Sequence, residues 1–92
     1  MFQIFKVSGD SLYPFFKDGQ RVICRKVSKG TPININDAVV FEKENYGVMI
    51  KRVISIEKNK YFVSGTDPMS IDSRNFGSLD RHDIKFKVLF KF

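Results

Sequence analysis

The chain is nearly empty of residues that crosslink or chelate. A single cysteine, Cys24, excludes an internal disulfide, so no oxidative staple holds the fold and a reducing compartment is permitted. In the run Arg21-Val22-Ile23-Cys24-Arg25 that thiol is expected to be buried and structural. His82 is the only histidine, and without a Cys or His cluster no metal site is expected, nor any cofactor. No apolar stretch approaches the roughly 20 residues that cross a bilayer. The start, Met1-Phe2-Gln3-Ile4-Phe5-Lys6, is too short and too early charged for a signal peptide. A soluble, cytoplasmic chain is the expectation. Internal repeats, low-complexity linkers and any long helical period are missing too.

What is present suits one small folded domain. At 92 residues the chain buries barely enough apolar surface to offset the entropy of folding, so a single domain spanning 1–92 is expected. Hydrophobic residues make up 42% of it, with ten Phe and no Trp, which is material for a core and not the composition of a disordered chain. Sixteen Lys and Arg against ten Asp and Glu leave a formal charge of +6, which would suit nucleic acid or an anionic membrane. The cations are scattered, never more than two in a row, so a nucleic-acid partner is not expected.

Short β-branched and aromatic runs read as strands: Phe2 to Val7, Arg21 to Val27, Ala38 to Glu42, Val48 to Ile56, Lys60 to Val63 and Ile84 to Phe92. Turn chemistry separates them at Ser8-Gly9-Asp10, Lys17-Asp18-Gly19, Lys29-Gly30-Thr31-Pro32, Asn45-Tyr46-Gly47 and Lys58-Asn59. This spacing predicts an all-β domain, a small sandwich or barrel. The one helix candidate is a single turn over Ser11-Leu12-Tyr13-Pro14-Phe15-Phe16. The stretch from Ser64 to Asp83 is the least regular, and so much loop in a small domain is expected to carry function.

Two segments have the residue types for chemistry. In Gly47-Val48-Met49-Ile50-Lys51-Arg52-Val53-Ile54-Ser55-Ile56, strand alternation puts Met49, Lys51, Val53 and Ser55 on one face and Val48, Ile50, Arg52, Ile54 and Ile56 on the other. Each face thus holds one cation among apolar neighbours. Periodicity alone allows that one snorkels from an edge and the other lies in solvent. A lysine enclosed by Met49 and Val53 would instead be desolvated, which favours the neutral amine and makes it a general base, a role closed to arginine. In Val7-Ser8-Gly9-Asp10-Ser11-Leu12-Tyr13-Pro14, a strand runs into a Gly-Asp turn that presents the Ser11 hydroxyl at a corner. There it could be either a helix cap or a nucleophile beside backbone N–H groups.

Taken together, these segments resemble the type I signal peptidase family, whose nucleophile lies in Gly-x-Ser-Met-x-Pro and whose base lies in Lys-Arg-Val/Ile. Here they read Gly9-Asp10-Ser11-Leu12-Tyr13-Pro14 and Lys51-Arg52-Val53-Ile54. A third segment, Gly65-Thr66-Asp67-Pro68-Met69-Ser70-Ile71-Asp72-Ser73-Arg74-Asn75-Phe76-Gly77, is similar to the family's Gly-Asp-Asn…Ser-x-Asp-Ser-Arg-x-x-Gly. The likeness covers nearly the whole chain, including Asp18-Gly19-Gln20-Arg21-Val22 and Asn36-Asp37-Ala38-Val39-Val40-Phe41.

The resemblance implies the small mixed β-barrel or sandwich of the signal-peptidase and LexA catalytic core. It implies Ser11 as nucleophile, Lys51 as base and Ser70 as the hydroxyl that orients the amine. Asp72 and Arg74 would form an ion pair or network bracing the loop, with Ser73 as a supporting polar group. The Ser11 N–H would serve the oxyanion hole, while Gly9 stands where some relatives place a hydroxyl side chain. The implied reaction is cleavage in trans of an extended leader or signal-type peptide, bound as an added strand and carrying small side chains at the cut. Several positions depart from the family. Leu12 replaces Met, Phe15-Phe16 replaces Thr-Leu, and the segment before Ser70 is one residue shorter and lacks its Asn. A catalytic core without the family's membrane anchor is the expectation.

Two other readings remain open at this level. A LexA-type self-cleaving repressor shares the dyad and the architecture but needs a cleavable segment in its own chain. A catalytically silent basic β-barrel would use Tyr13, Phe15, Phe16, Tyr46 and Tyr61 to stack on nucleic acid or to grip a protein partner. Those aromatics could equally form core or a lip on a membrane, so peripheral contact with the inner membrane is the alternative location. The residues set no oligomeric state.

Overall fold

Strand alternation and two-residue turns organise the chain into one antiparallel sheet. The computed structural model describes residues 1–9, 12–66 and 69–92. Its strands are β1 (Phe2–Lys6), β2 (Arg21–Lys26), β3 (Ala38–Lys43), β4 (Gly47–Glu57), β5 (Lys60–Ser64), β6 (Leu79–Asp80) and β7 (Ile84–Lys91), in the spatial order β1-β2-β7-β3-β4-β5-β6. The helices are one short α-helix, α1 (Ser73–Phe76), and a 3-10 turn over Arg81–Asp83. The fold is all-β, as the turn spacing predicts. No helix among the described residues is long and apolar enough to cross a membrane.

The hairpins follow from local chemistry. Lys58 and Asn59 between β4 and β5 both have positive φ, 48° and 64°, which is the twist of a type I′ turn. Between β3 and β4 the Tyr46 N–H donates to the Lys43 carbonyl at 2.9 Å, and Asn45 and Gly47 supply the positive φ angles.

β3 is buried on both faces and separates two cores. Val39 and Phe41 face a larger cluster with Ile33, Val53, Tyr61, Val63, Leu79 and Ile84, while Val40 faces a smaller one with Val7, Val22 and Cys24. Phe5 and Phe86 meet edge to face at 5.0 Å at the margin of the smaller core. Cys24 is buried there, and burial pushes its thiol up to about 11, the behaviour of a packing residue and not of a reactive thiol. Of the aromatics considered as stacking platforms, Tyr61 is core and accepts a hydrogen bond from Arg81, and Tyr46 lies over Phe76 at 5.3 Å. Tyr13 and Phe15 are exposed.

Besides the two-residue strand β6, which no run of the sequence announces, the structure departs from the sequence expectations in three places. The helical turn expected from Ser11 to Phe16 is, over the described residues 12–16, a hydrogen-bonded turn closed by Phe16 N–H to the Leu12 carbonyl at 3.1 Å. Pro14 in its middle has no N–H to continue a helical ladder. The helix forms instead at Ser73–Phe76, where a reciprocal capping box joins Asp72 and Asn75. Finally, the register of β4 against β5 shifts between Val53 and Ser55, so Ile54 is an extra residue. After that bulge Ile56, and not Ser55, rejoins the core face of Val53.

Candidate active site

Lys51 sits midway along β4, opposite Val39 of β3, with both neighbours on its face apolar. The closely packed larger core lies beneath this face, and only 5% of Lys51 remains accessible. The alternation that left two cations equivalent is thereby resolved: Lys51 is the buried one. Arg52 points the other way, half-buried, with its guanidinium carbon 5.4 Å from the centre of the Phe15 ring.

Lys51 lines a cleft of about 330 Å³ between the end of β1 and the start of β4. Phe5, Val22, Val40 and Ile50 make its apolar floor, Ser8 stands on one wall, and the exposed Ile71 forms the rim. Gly9 follows Ser8 and ends this described stretch of the chain. Ser11 and its neighbour Asp10 lie outside the described residues, as do Asp67 and Pro68 of the third segment.

Both flanks of the Ser11 turn are held. Val7 N–H donates to the Gln20 carbonyl at 2.7 Å, Gly19 N–H returns to the Val7 carbonyl at 2.8 Å, and Gly9 N–H donates to Asp18 Oδ1 at 2.8 Å. On the far side, Leu12 is buried. Gly9 has φ +87° with nothing within 4 Å of where a Cβ would project. Gly9→Ala is therefore expected to cost about 1–2 kcal/mol of stability through backbone strain alone. Urea unfolding measures that loss, and an unchanged midpoint would show that the turn relaxes.

The third segment also reaches this corner. Thr66 Oγ1 donates to the Tyr13 carbonyl at 2.5 Å, and Ile71 closes the rim beside Lys51. Ser70, directly before Ile71, is half-buried, with its carbonyl accepting from Arg74 Nη2 at 3.3 Å. Asp72 is fully buried and accepts from Arg74 N–H and Arg74 Nε, each at 2.9 Å, and from Ser64 Oγ at 3.3 Å. Burial by itself would raise this carboxyl, but the hydrogen bonds and charge of Arg74, with the Ser64 hydroxyl, outweigh it and hold Asp72 below its ordinary value. Ser73 Oγ accepts the Val63 N–H at 2.8 Å and thereby ties α1 to β5. Segments far apart in the chain thus converge on one corner of the sheet.

Some of these contacts carry no local signal in the sequence. Asp18 as the acceptor for Gly9, and Ile71 as the rim, depend on loops meeting across the fold. Asp72 and Asn75 did carry one, an Asx residue followed three positions later by an amide. The structure also gathers Asp80, His82 and Asp83, whose potential ligand atoms lie within 4.8 Å of one another, a cluster that the scarcity of Cys and His concealed. Its carboxylates already have partners: Asp80 pairs with Lys60, and Asp83 Oδ2 accepts the Asp80 N–H at 2.9 Å.

The arrangement can hold an extended chain beside a sequestered amine. Among the described residues, Gly47 to Lys51 pairs with β3 alone, because the ladder to β5 begins only at Arg52. The other edge of that half-strand faces the cleft. A family model described as Peptidase S24-like matches residues 2–86. No curated protein matches the chain.

Proposed function

Because the chain belongs to the Peptidase S24-like family, we propose that it is a serine endopeptidase in which Ser11 is the nucleophile and Lys51 the general base. Family membership supports a serine peptidase of the LexA-like kind in general. The dyad and its substrate are the proposal. The observation that carries it is the near-complete burial of Lys51 in a cleft that Ser8, three positions before Ser11 in the chain, also lines. A buried ammonium is disfavoured relative to the neutral amine, and a neutral amine can take a proton.

The reaction is acyl transfer. Neutral Lys51 Nζ accepts the Ser11 hydroxyl proton as Oγ attacks the scissile carbonyl, and the Ser11 N–H stabilises the resulting oxyanion. Lys51 then returns that proton to the departing amine, which leaves an ester on Ser11. Water, deprotonated by the same amine, resolves the ester and frees both enzyme groups. Ser70 orients the amine, while Asp72, Ser73 and Arg74 brace the segment that carries it. The substrate is an extended peptide of the leader or signal type, cut in trans as in type I signal peptidases. It adds as a strand to the free edge of Val48 to Ile50 and sets its side chains in the apolar floor of the cleft.

A serine-directed acylating probe, read by intact mass, tests the dyad. One equivalent of label is expected on the wild type and none on Ser11→Ala or Lys51→Ala. Label that persists in both variants would remove the assignment. Cleavage of a panel of Ala-x-Ala leader peptides then tests the substrate. Self-cleavage is the reading that the family match also favours. Ser11-dependent fragmentation of the purified chain without added peptide would put it in place of cleavage in trans.

A further inference from the structure

The residue after the base opens onto a different cavity. Arg52 faces away from Lys51, as strand alternation requires, and lines a hollow of about 650 Å³ bounded by the turn that follows Ser11, the start of β3 and the end of β7. The walls combine apolar side chains with a polar surface of nearly equal extent. Leu12 and Phe16 form the inner side, and Phe15 and Leu89, 51% and 44% exposed, stand at the mouth.

The charges in this hollow are unbalanced. Lys91 Nζ donates to the Phe15 carbonyl at 2.6 Å and lies 5.8 Å from the centre of the Phe16 ring. The one carboxylate lining the hollow among the described residues, Asp37, is engaged elsewhere, with its Oδ2 3.2 Å from Lys87 Nζ and accepting the Asn34 N–H at 2.7 Å. Arg52 has neither a hydrogen bond nor an ion pair to it. Its Nε is buried and has no hydrogen-bond partner among the described residues. A guanidinium N–H shut off from water without an acceptor is unfavourable, and an acceptor arriving from outside would relieve it.

We propose that this hollow is a binding site for a small amphiphilic monocarboxylate, with the carboxylate on Arg52 and the apolar chain against Leu12, Phe15 and Leu89. The planar fork of an arginine matches a carboxylate through two parallel N–H donors, and the missing partner is an acceptor of that kind. Two cations at the site disfavour a cationic amphiphile, and the apolar side chains disfavour a bare inorganic anion. The same charges oppose insertion of a basic segment from a second copy. The site adjoins Leu12, the residue after Ser11, and shares no lining residue with the Lys51 cleft.

Decanoate below its micellar concentration is the probe, with decanol and decyltrimethylammonium as controls, titrated by calorimetry and by amide NMR shifts. Decanoate is expected to saturate, to move amides of residues 12–16 and 88–91, and to bind at least tenfold tighter than either control. Arg52→Met should weaken it tenfold or more, whereas Arg25→Met, outside the hollow, should leave it unchanged. If Arg52→Met fails to fold, Leu89→Glu sets a repelling carboxylate at the exposed mouth and should weaken decanoate tenfold while leaving decanol within twofold. Equal binding of decanoate and decanol, shifts centred on other strands, undiminished affinity in Arg52→Met or Leu89→Glu, or no saturable binding at all would each overturn the proposal. None of these readouts depends on peptidase activity.

Discussion

Replacing Lys51 with methionine or arginine is expected to end peptide cleavage while leaving a folded protein. Methionine preserves the length and apolar stem of the side chain and removes only the amine, so the site stays filled without a buried charge. Arginine keeps the charge but cannot act as a base near neutral pH, because its guanidinium does not give up a proton there. A positioned base contributes about 10²–10⁴-fold, and groups that act as a unit fail together, so turnover should fall by at least about 10³-fold in either variant. Peptide cleavage followed by mass spectrometry, alongside near-UV circular dichroism, measures both halves of the expectation. An active, folded Lys51→Arg enzyme would show that another group takes the proton.

Asp72→Ala is expected to be the most destabilising single change near the site that leaves the proposed dyad intact. Asp72 is fully buried, accepts two hydrogen bonds from Arg74 and one from Ser64, and caps α1 with Asn75. Arg74 is largely exposed and can return to water, so its loss of partner counts for little. The lost cap and hydrogen bonds of Asp72 and the unfilled space together come to about 2–3 kcal/mol. For a domain of this size that lowers the melting temperature by about 10 °C or more. The pH dependence follows from the lowered carboxyl of Asp72. A carboxyl lower in the folded than in the unfolded state adds stability that is complete above the unfolded value, near 3.9, and is lost as pH falls through the lower folded value. The gap in urea midpoint between wild type and Asp72→Ala should therefore be widest above about pH 4 and narrow below it. A gap independent of pH would mean that the packing of Asp72, and not its charge, carries the effect.

Six of the seven strands were legible because their signals are local. Apolar runs such as Ala38 to Lys43 and Gly47 to Glu57 are bounded by Asp37, Asn45 and Asn59, and Lys58-Asn59 makes its turn from the two residues alone. β6 is the exception. Leu79-Asp80 has two residues and becomes a strand only because Lys60 and Tyr61 lie beside it. The capping turn of α1 is also local in origin, with its signal in Asp72 and Asn75, whereas the cap-type Ser11 precedes a proline that cannot extend a helical ladder.

The order and spacing of the motifs around Ser11, Lys51 and Ser70 are properties of the sequence, and so is the scarcity of cysteine and histidine that turns attention to a serine and a lysine. Which of two adjacent cations is buried is not such a property. Alternation assigns Lys51 and Arg52 to opposite faces, but both faces of β4 are apolar, and a period of two says nothing about what lies beyond either. Pairing with β3 places Val39 opposite Lys51 and the large core beneath it, and the turn after Ser11 lays Phe15 against Arg52. Burial is decided by contacts between residues distant in the chain, so the dry amine and the unmatched guanidinium arise only once the sheet has closed around them.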